Sequence, residues 1–324
     1  MRFGIWTPRG GKADEAVDDS YRFAVEVAQR AESIGIETTL IAQRYLGMDL
    51  DAWVLASALA AQTRSIELLI AIHPGVLTPQ VVAKMGSTLD HISGGRFAVN
   101  LVNGWWQEEM ETYGNGGWIE RNDKRYRRMD EFVQVVKGMW GDAPFTFSGE
   151  FFRVPMPSSP QKPVQKFPPF YTASSSEDGK DCIARSCEYW FIAYEAGSQN
   201  YEKNMGHFAE RVREMRERSA RYGRSVHCAV SANVICADTT AEAEADVAEI
   251  EHRSSDRKVG GTAVAALGAG LIGNARTIAD RIARYEDVGI HTLMLRFPNM
   301  LPGLDRFGRE IMPLLRPGPR GACA

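Results

Sequence analysis

The sequence predicts an α/β fold, a closed (β/α)8 barrel, and three observations carry that prediction. Short β-rich runs alternate with longer stretches of helical periodicity from one end of the chain to the other, and the runs number eight. No linker rich in Pro or Ser splits the 324 residues into halves. No GxGxxG follows the first run, which weakens the alternative of an open, doubly wound sheet. Residues 1–324 are therefore read as one barrel domain.

The runs, in order, are RFGIWT from Arg2, TTLIA from Thr38, IELLIAI from Ile66, FAVNLV from Phe97, PFYTA from Pro169, YWFIAY from Tyr189, CAVSANVI from Cys228 and TLMLRF from Thr292. Helical patterns lie between them at 20–34, 81–91, 125–139, 200–222 and 275–288, and 304–315 reads as a terminal helix. The fourth run shows why the strands should be parallel. Side chains alternate, so Phe97, Val99 and Leu101 share one face while Ala98, Asn100 and Val102 share the other. Both faces are apolar, as in a sheet covered by helices on one side and closed on itself on the other. Asn100 is the exception, and a buried amide costs roughly a few kcal/mol unless a backbone group or a ligand satisfies it.

Two segments exceed a plain barrel. FTFSGEFFRV, within 141–168, alternates aromatic and polar residues about a Ser-Gly turn and predicts an inserted hairpin. SSDRKVGGTAVAALGAGLIG, at 254–273, has the Gly/Ala composition of a mobile loop that opens and closes before the last βα unit.

Composition bounds the function. Hydrophobic residues make up 44%, charged residues 24%, and the net charge is −3 without a long basic run, so a nucleic-acid partner is not expected. The five cysteines form no CxxC pair and no zinc-type cluster; they read as reduced thiols and point to the cytoplasm. The start MRFGIWTP has no leader pattern, and no apolar run approaches the roughly 20 residues that would span a membrane.

In a barrel of this kind the chemistry lies at the C-terminal ends of the strands. Those ends carry Thr7 and Arg9, Gln43 and Arg44, His73, Asn100 and Asn103, Ser174 to Ser176, Tyr194 and Glu195, Asn233, and Arg296, Phe297 and Asn299. None offers a Schiff-base lysine, and no HxH pair or carboxylate cluster offers a metal site. Aromatic walls from Trp6, Trp105, Trp106 and Phe297, with amides and cations between them, suit a large planar cofactor. SSSED at 174–178 opens a helix, so its hydroxyls and N–H groups could meet a phosphate or simply cap the helix. Arg125 and Tyr126 begin another helix and could reach the same anion.

HISGGRFAVNLVNGWWQEEMETYG and ERNDKRYRRMDEFVQVVKGMW resemble the luciferase-like flavin monooxygenases, in the branch holding alkanesulfonate, dimethylsulfone and pyrimidine monooxygenases. The resemblance continues through TPQVVAKMGSTLDHISGGR, FTFSGEFFRV, PPFYTASSS, LIGNARTIADRI and FGREIMPLL. It implies a barrel of the bacterial-luciferase type that takes FMN as FMNH2 from a separate NAD(P)H-dependent flavin reductase and uses O2 to oxygenate a small organic substrate, a sulfone or organosulfur compound with C–S cleavage among them. Asn100 matches the family's strand-four asparagine beside the flavin, Tyr126 the aromatic of its RY motif, and Ser175 and Ser176 the serines of its GGSS loop, with Ala173 and Ser174 in place of the glycines. The expected catalytic set is His73, Asn100 and Asn233; the expected substrate set is Trp6, Arg9, Arg44, Trp105, Tyr194, Arg296 and Phe297. Where alkanesulfonate enzymes carry Arg-x-His on strand seven, this chain has Ser231 and Asn233, closer to the dimethylsulfone enzymes. A homo-oligomer, dimer or tetramer, is expected. The alternatives are a deazaflavin-dependent oxidoreductase of the same superfamily and a flavin-binding protein without turnover.

Overall fold

The alternation read in the fourth run governs the whole sheet, because each strand must serve a helix-covered outer face and a closed interior. The computed structural model describes residues 1–8, 20–47, 49–103, 106–114, 118–158, 161–255 and 266–315. In chain order the elements are β1 (Arg2–Trp6), α1 (Ser20–Ser33), β2 (Thr38–Ile41), α2 (Ala52–Gln62), β3 (Glu67–Ile72), α3 (Pro79–Ser93), β4 (Phe97–Leu101), α4 (Gln107–Tyr113) and α5 (Asn122–Trp140). There follow β5 (Phe145–Ser148), β6 (Arg153–Ser158), β7 (Phe170–Ala173), α6 (Glu177–Ser186), β8 (Tyr189–Phe191), α7 (Tyr201–Ala220), β9 (His227–Cys236) and α8 (Thr240–Ser255). The last are β10 (Leu271–Gly273), α9 (Ala275–Asp287), β11 (Ile290–Arg296) and α10 (Met300–Arg306).

The sheet runs β1-β2-β3-β4-β7-β8-β9-β11 and closes where β11 pairs with β1, every pairing parallel. Outward residues such as Ile5, Leu68, Phe97 and Val99 join the main core beneath the helices, while Leu40, Leu69, Ala98, Tyr171, Tyr189 and Met294 form a separate inner cluster. Gly4 is required there. A Cβ at that position would stand 2.3 Å from the Met294 sulfur, so the missing side chain lets Met294 fill the barrel axis.

The N-terminal end of the barrel is closed by a polar plug. Arg2 donates to the Tyr189 hydroxyl at 3.0 Å and to Thr38 Oγ1 at 3.2 Å; Tyr171 and Thr38 donate in turn to Glu67 Oε1 at 2.9 and 3.1 Å. Tyr171 and Tyr189 stack at 3.9 Å, so the hydroxyl-bearing edges are held by packing as well as by charge.

FTFSGEFFRV forms the expected antiparallel hairpin, β5 against β6. Its turn is held by Glu131 of α5, which accepts from the backbone N–H of Glu150, Phe151 and Phe152 at 2.7, 2.9 and 3.1 Å. Two expectations change. The terminal helix does not run unbroken over 304–315: α10 passes into a wide turn at Phe307–Ile311 and a tight one at Met312–Leu314, where Pro313 has no N–H to continue a helix. Of the expected mobile loop, residues 256–265 lie outside the described residues, while Leu271–Gly273 is an ordered strand, with Leu271 opposite Val234.

Below the plug His227 and His291 stack at 4.1 Å. Burial, then the neighbouring imidazole and Arg2, push His291 from 6.5 down to about 4, and burial with Arg2 also lowers His227. A histidine with a depressed folded pKa adds stability that is complete above the unfolded value and lost as pH falls towards the folded one. His291→Asn should therefore flatten the loss of stability between pH 6.5 and about 4. Urea midpoints measured across that range check it, and an acid limb as steep as the parent's would contradict it.

Candidate active site

At the other end of the barrel the inward phase turns polar. Asn100 shares the phase of Ala98, which belongs to the inner cluster, and its backbone is paired in register with Ala71 and Tyr171. Its side chain is 8% exposed and makes no hydrogen bond to a described residue. The partner that a buried amide needs is thus not a neighbouring backbone group, and the amide points into the closed interior.

One wall of the mouth is organised by Ser231 on β9. Its hydroxyl accepts from Trp6 Nε1 and from Arg296 Nε, both at 3.1 Å, and the Arg296 guanidinium lies 4.1 Å over the Trp6 ring. The Tyr194 hydroxyl donates to the Ser231 carbonyl, and burial pushes that hydroxyl well above the usual tyrosine range. Asn233 is buried and stands opposite Arg296 in the β9–β11 register. Strands one, seven and eight therefore meet through one serine.

The opposite wall comes from the loops after β2 and β3 and from α4. His73 is 2% exposed, and its Nδ1 has no hydrogen-bond partner. Burial holds the imidazole below its usual range, against the opposing pull of Glu109 and of a hydrogen bond with the Gln43 backbone, and so favours the neutral form, whose bare nitrogen can accept. Glu109, fully buried, accepts from the backbone N–H of Tyr45 at 2.6 Å and Leu46 at 3.1 Å, which fastens α4 to the β2 loop. Arg44 is buried with its guanidinium 5.6 Å over the Trp106 ring.

A third group lies where α5 meets α6. The Tyr126 hydroxyl donates to Ser174 Oγ at 2.7 Å, and Ser174 Oγ also accepts from the Ser176 N–H at 3.1 Å. Ser176 caps α6 by accepting from the Gly179 N–H at 3.2 Å. Gly179 makes this possible: a Cβ there would stand 2.0 Å from Ser174 Oγ and 2.6 Å from the Tyr126 ring. Ala173 and Ser175 are exposed beside this chain. Glu177, the first helical residue, is paired with Lys180 and Arg218, and their hydrogen bonds hold its carboxyl below the usual range. The first turn of α6 also carries the exposed carboxylate of Asp178.

Of the residues expected from sequence, Trp6, Arg44, His73, Asn100, Tyr194, Asn233 and Arg296 gather at this end of the barrel, and Tyr126 joins Ser174 and Ser176. Arg9 and Trp105 lie outside the described residues. Phe297 is a correction. It follows the inward Arg296, so it turns outward and packs against Phe307 in the core at 5.9 Å between ring centroids. Glu109 and Gly179 were not anticipated. A glycine in the first turn of a helix costs about 1 kcal/mol relative to alanine, which was the available signal for a close approach. Among the described residues no His/Cys/Asp/Glu group could hold a metal ion.

The FMNH2-dependent dimethylsulfone monooxygenase of Pseudomonas putida is 30% identical over 356 aligned positions, covering 98% of this chain and 95% of that protein. Among solved structures, EDTA monooxygenase from Chelativorans sp. BNC1 superposes with a TM-score of 0.80 at 19% identity, covering 97% of this chain and 93% of that one. The coenzyme F420 dependent tetrahydromethanopterin reductase of Methanopyrus kandleri has the same fold, with a TM-score of 0.73 at 16% identity over 96% of this chain and 98% of that one. Residues 1–292 match the family described as luciferase-like monooxygenase, and the chain belongs to that family.

Proposed function

We propose that the protein is the oxygenating component of a two-component flavin monooxygenase, taking FMNH2 and O2 and placing one oxygen atom on a small organic substrate. The observation that carries this reading is Asn100, an inward amide above the apolar inner cluster that no described residue satisfies. The site fits FMN at both ends. Asn100 would meet the polar edge of the ring, and the phosphate would lie against Tyr126, Ser174, exposed Ser175 and the first N–H groups of α6. When bound, reduced FMN supplies the two electrons that convert O2 into one inserted oxygen atom and one water.

The remaining roles belong to the chain. Neutral His73 holds or moves a proton at Nδ1. Trp6, Ser231 and Arg296 form a rigid wall that orients the substrate, with Asn233 beside them. The guanidinium directs a polar or anionic end towards that wall, since a charge-assisted hydrogen bond is the strongest contact on offer there. The activity named for the Pseudomonas putida relative supports a sulfone or related organosulfur compound with C–S cleavage. A deazaflavin enzyme transferring hydride without oxygen is the second reading, favoured by F420-dependent neighbours of the same fold.

The proposed partners are an NAD(P)H-dependent flavin reductase and a second copy of the chain. For the second copy the support is α2, a mostly apolar helix: Trp53, Leu55 and Leu59 are buried, yet Val54 is 72% exposed, and neighbouring α3 exposes Val81 and Ile92. Cys182, Cys187, Cys228 and Cys236 are free thiols, as in a cytoplasmic protein, and no described helix is long and apolar enough to cross a membrane.

Labelled oxygen tests the activity. With ¹⁸O2, FMNH2 and dimethylsulfone or a close organosulfur analogue, one labelled atom should enter the product; FMNH2 oxidation yielding only H2O2 across such a panel would contradict the reading. Asn100→Ala should weaken flavin affinity by about 1–3 kcal/mol, the loss expected for a hydrogen bond in a desolvated pocket. Flavin titration of variant and parent measures it, and equal affinities would remove Asn100 from the site. Val54→Asp should convert the oligomer to monomers in light scattering; a parent that is itself monomeric would overturn the second-copy assignment.

A further inference from the structure

Arg128 on α5 is a buried cation with no counter-ion among the described residues. It is 6% exposed, its Nε has no hydrogen-bond partner, and no described carboxylate pairs with it. Burial, then the nearby Arg125 guanidinium, lower its pKa, so the ionised group that acts on it is another cation. A guanidinium removed from water and placed beside a second one is costly unless an anion completes it.

The Arg128 guanidinium rests against Gly75, in the turn after β3, where a Cβ would stand 2.8 and 2.9 Å from the two terminal nitrogens and 2.4 Å from Met110 Cε. Asn103 lies alongside: Leu101 is opposite Ile72, and Val102 N–H bonds the Ile72 carbonyl, which brings Asn103 level with the residues after His73. Both amide atoms of Asn103 are closed off from solvent and make no hydrogen bond. Two orphaned polar groups, Arg128 on α5 and Asn103 after β4, thus lie about the turn that carries Gly75. It is distinct from the cradle at Ser174, because Tyr126 and Arg128 are two residues apart on one helix and so leave it about 200° apart.

We propose that Arg128, with Asn103 across the Gly75 turn, binds a small oxyanion at a site separate from the one holding the flavin phosphate. The shared chemistry is a compact group with two or more anionic oxygens, which an organosulfur product such as a sulfinate or free inorganic phosphate could supply. Arg128 would take two of those oxygens through its fork of N–H donors, and Asn103 would donate to a third or to a shared one.

Calorimetric titration of the flavin-free protein with sodium methanesulfinate and, separately, with inorganic phosphate tests this, with sodium chloride at matched ionic strength as the baseline. Saturable binding of at least one probe is expected, weakened at least tenfold by Arg128→Gln and partly kept by Arg128→Lys. Saturating FMN should change the probe's affinity by less than twofold. Should Arg128→Gln fold poorly, Gly75→Ala keeps the charge but forces the guanidinium aside, and the same loss is expected. Absence of saturable binding by either probe, unchanged binding in both Arg128→Gln and Gly75→Ala, or one-for-one displacement of the probe by FMN would overturn the proposal. A methanesulfinate preference over phosphate identifies the product-like source, and the reverse identifies phosphate.

Discussion

The ion-paired plug at the N-terminal end of the barrel is the constraint on which the rest depends. Arg2, Thr38, Glu67, Tyr171 and Tyr189 satisfy one another, so the bottom of the interior is closed by groups that need nothing further. Above them Leu40, Leu69, Ala98 and Met294 make a dry middle layer. With one end sealed and the centre packed, polar residues on the same inward phase further up can meet only one another or a molecule entering from the top.

The two outcomes are divided among those residues. Trp6, Ser231, Arg296 and Tyr194 meet one another and build a fixed wall. Asn100 and the Nδ1 of His73 make no hydrogen bond among the described residues. A buried polar group left unmatched costs about 1–3 kcal/mol, so these positions lower the stability of the empty barrel and gain it back on binding. Luciferase-like family membership and this pattern of unmatched groups both support the proposal of a flavin at the mouth.

The strands were legible because period-two alternation with both faces apolar is a local property. The same rule, applied one residue further, separates Arg296 from Phe297: neighbours in a strand face opposite ways, and only the first can reach the mouth. What could not be read was anything set by register around the closed sheet. Ser231 is 225 residues from Trp6 and 65 from Arg296, and nothing local in CAVSANVI marks its hydroxyl as their common acceptor. Arg128 was hidden for a similar reason, since in RYRRMDEF it reads as one more solvated arginine until the fold places Gly75 against it. The terminal helix was misjudged for a local reason that the sequence did hold, the proline at position 313.

The central claim is that the unmatched groups at the top of the barrel are the flavin site, and a crystal structure of the protein soaked with FMN tests it most directly. The account predicts the ring beside Asn100 with a hydrogen bond of about 3 Å and the phosphate against Tyr126, Ser174 and the N-terminus of α6. A flavin bound with Asn100 still unpartnered, or with its phosphate in the Arg128 pocket, would contradict it.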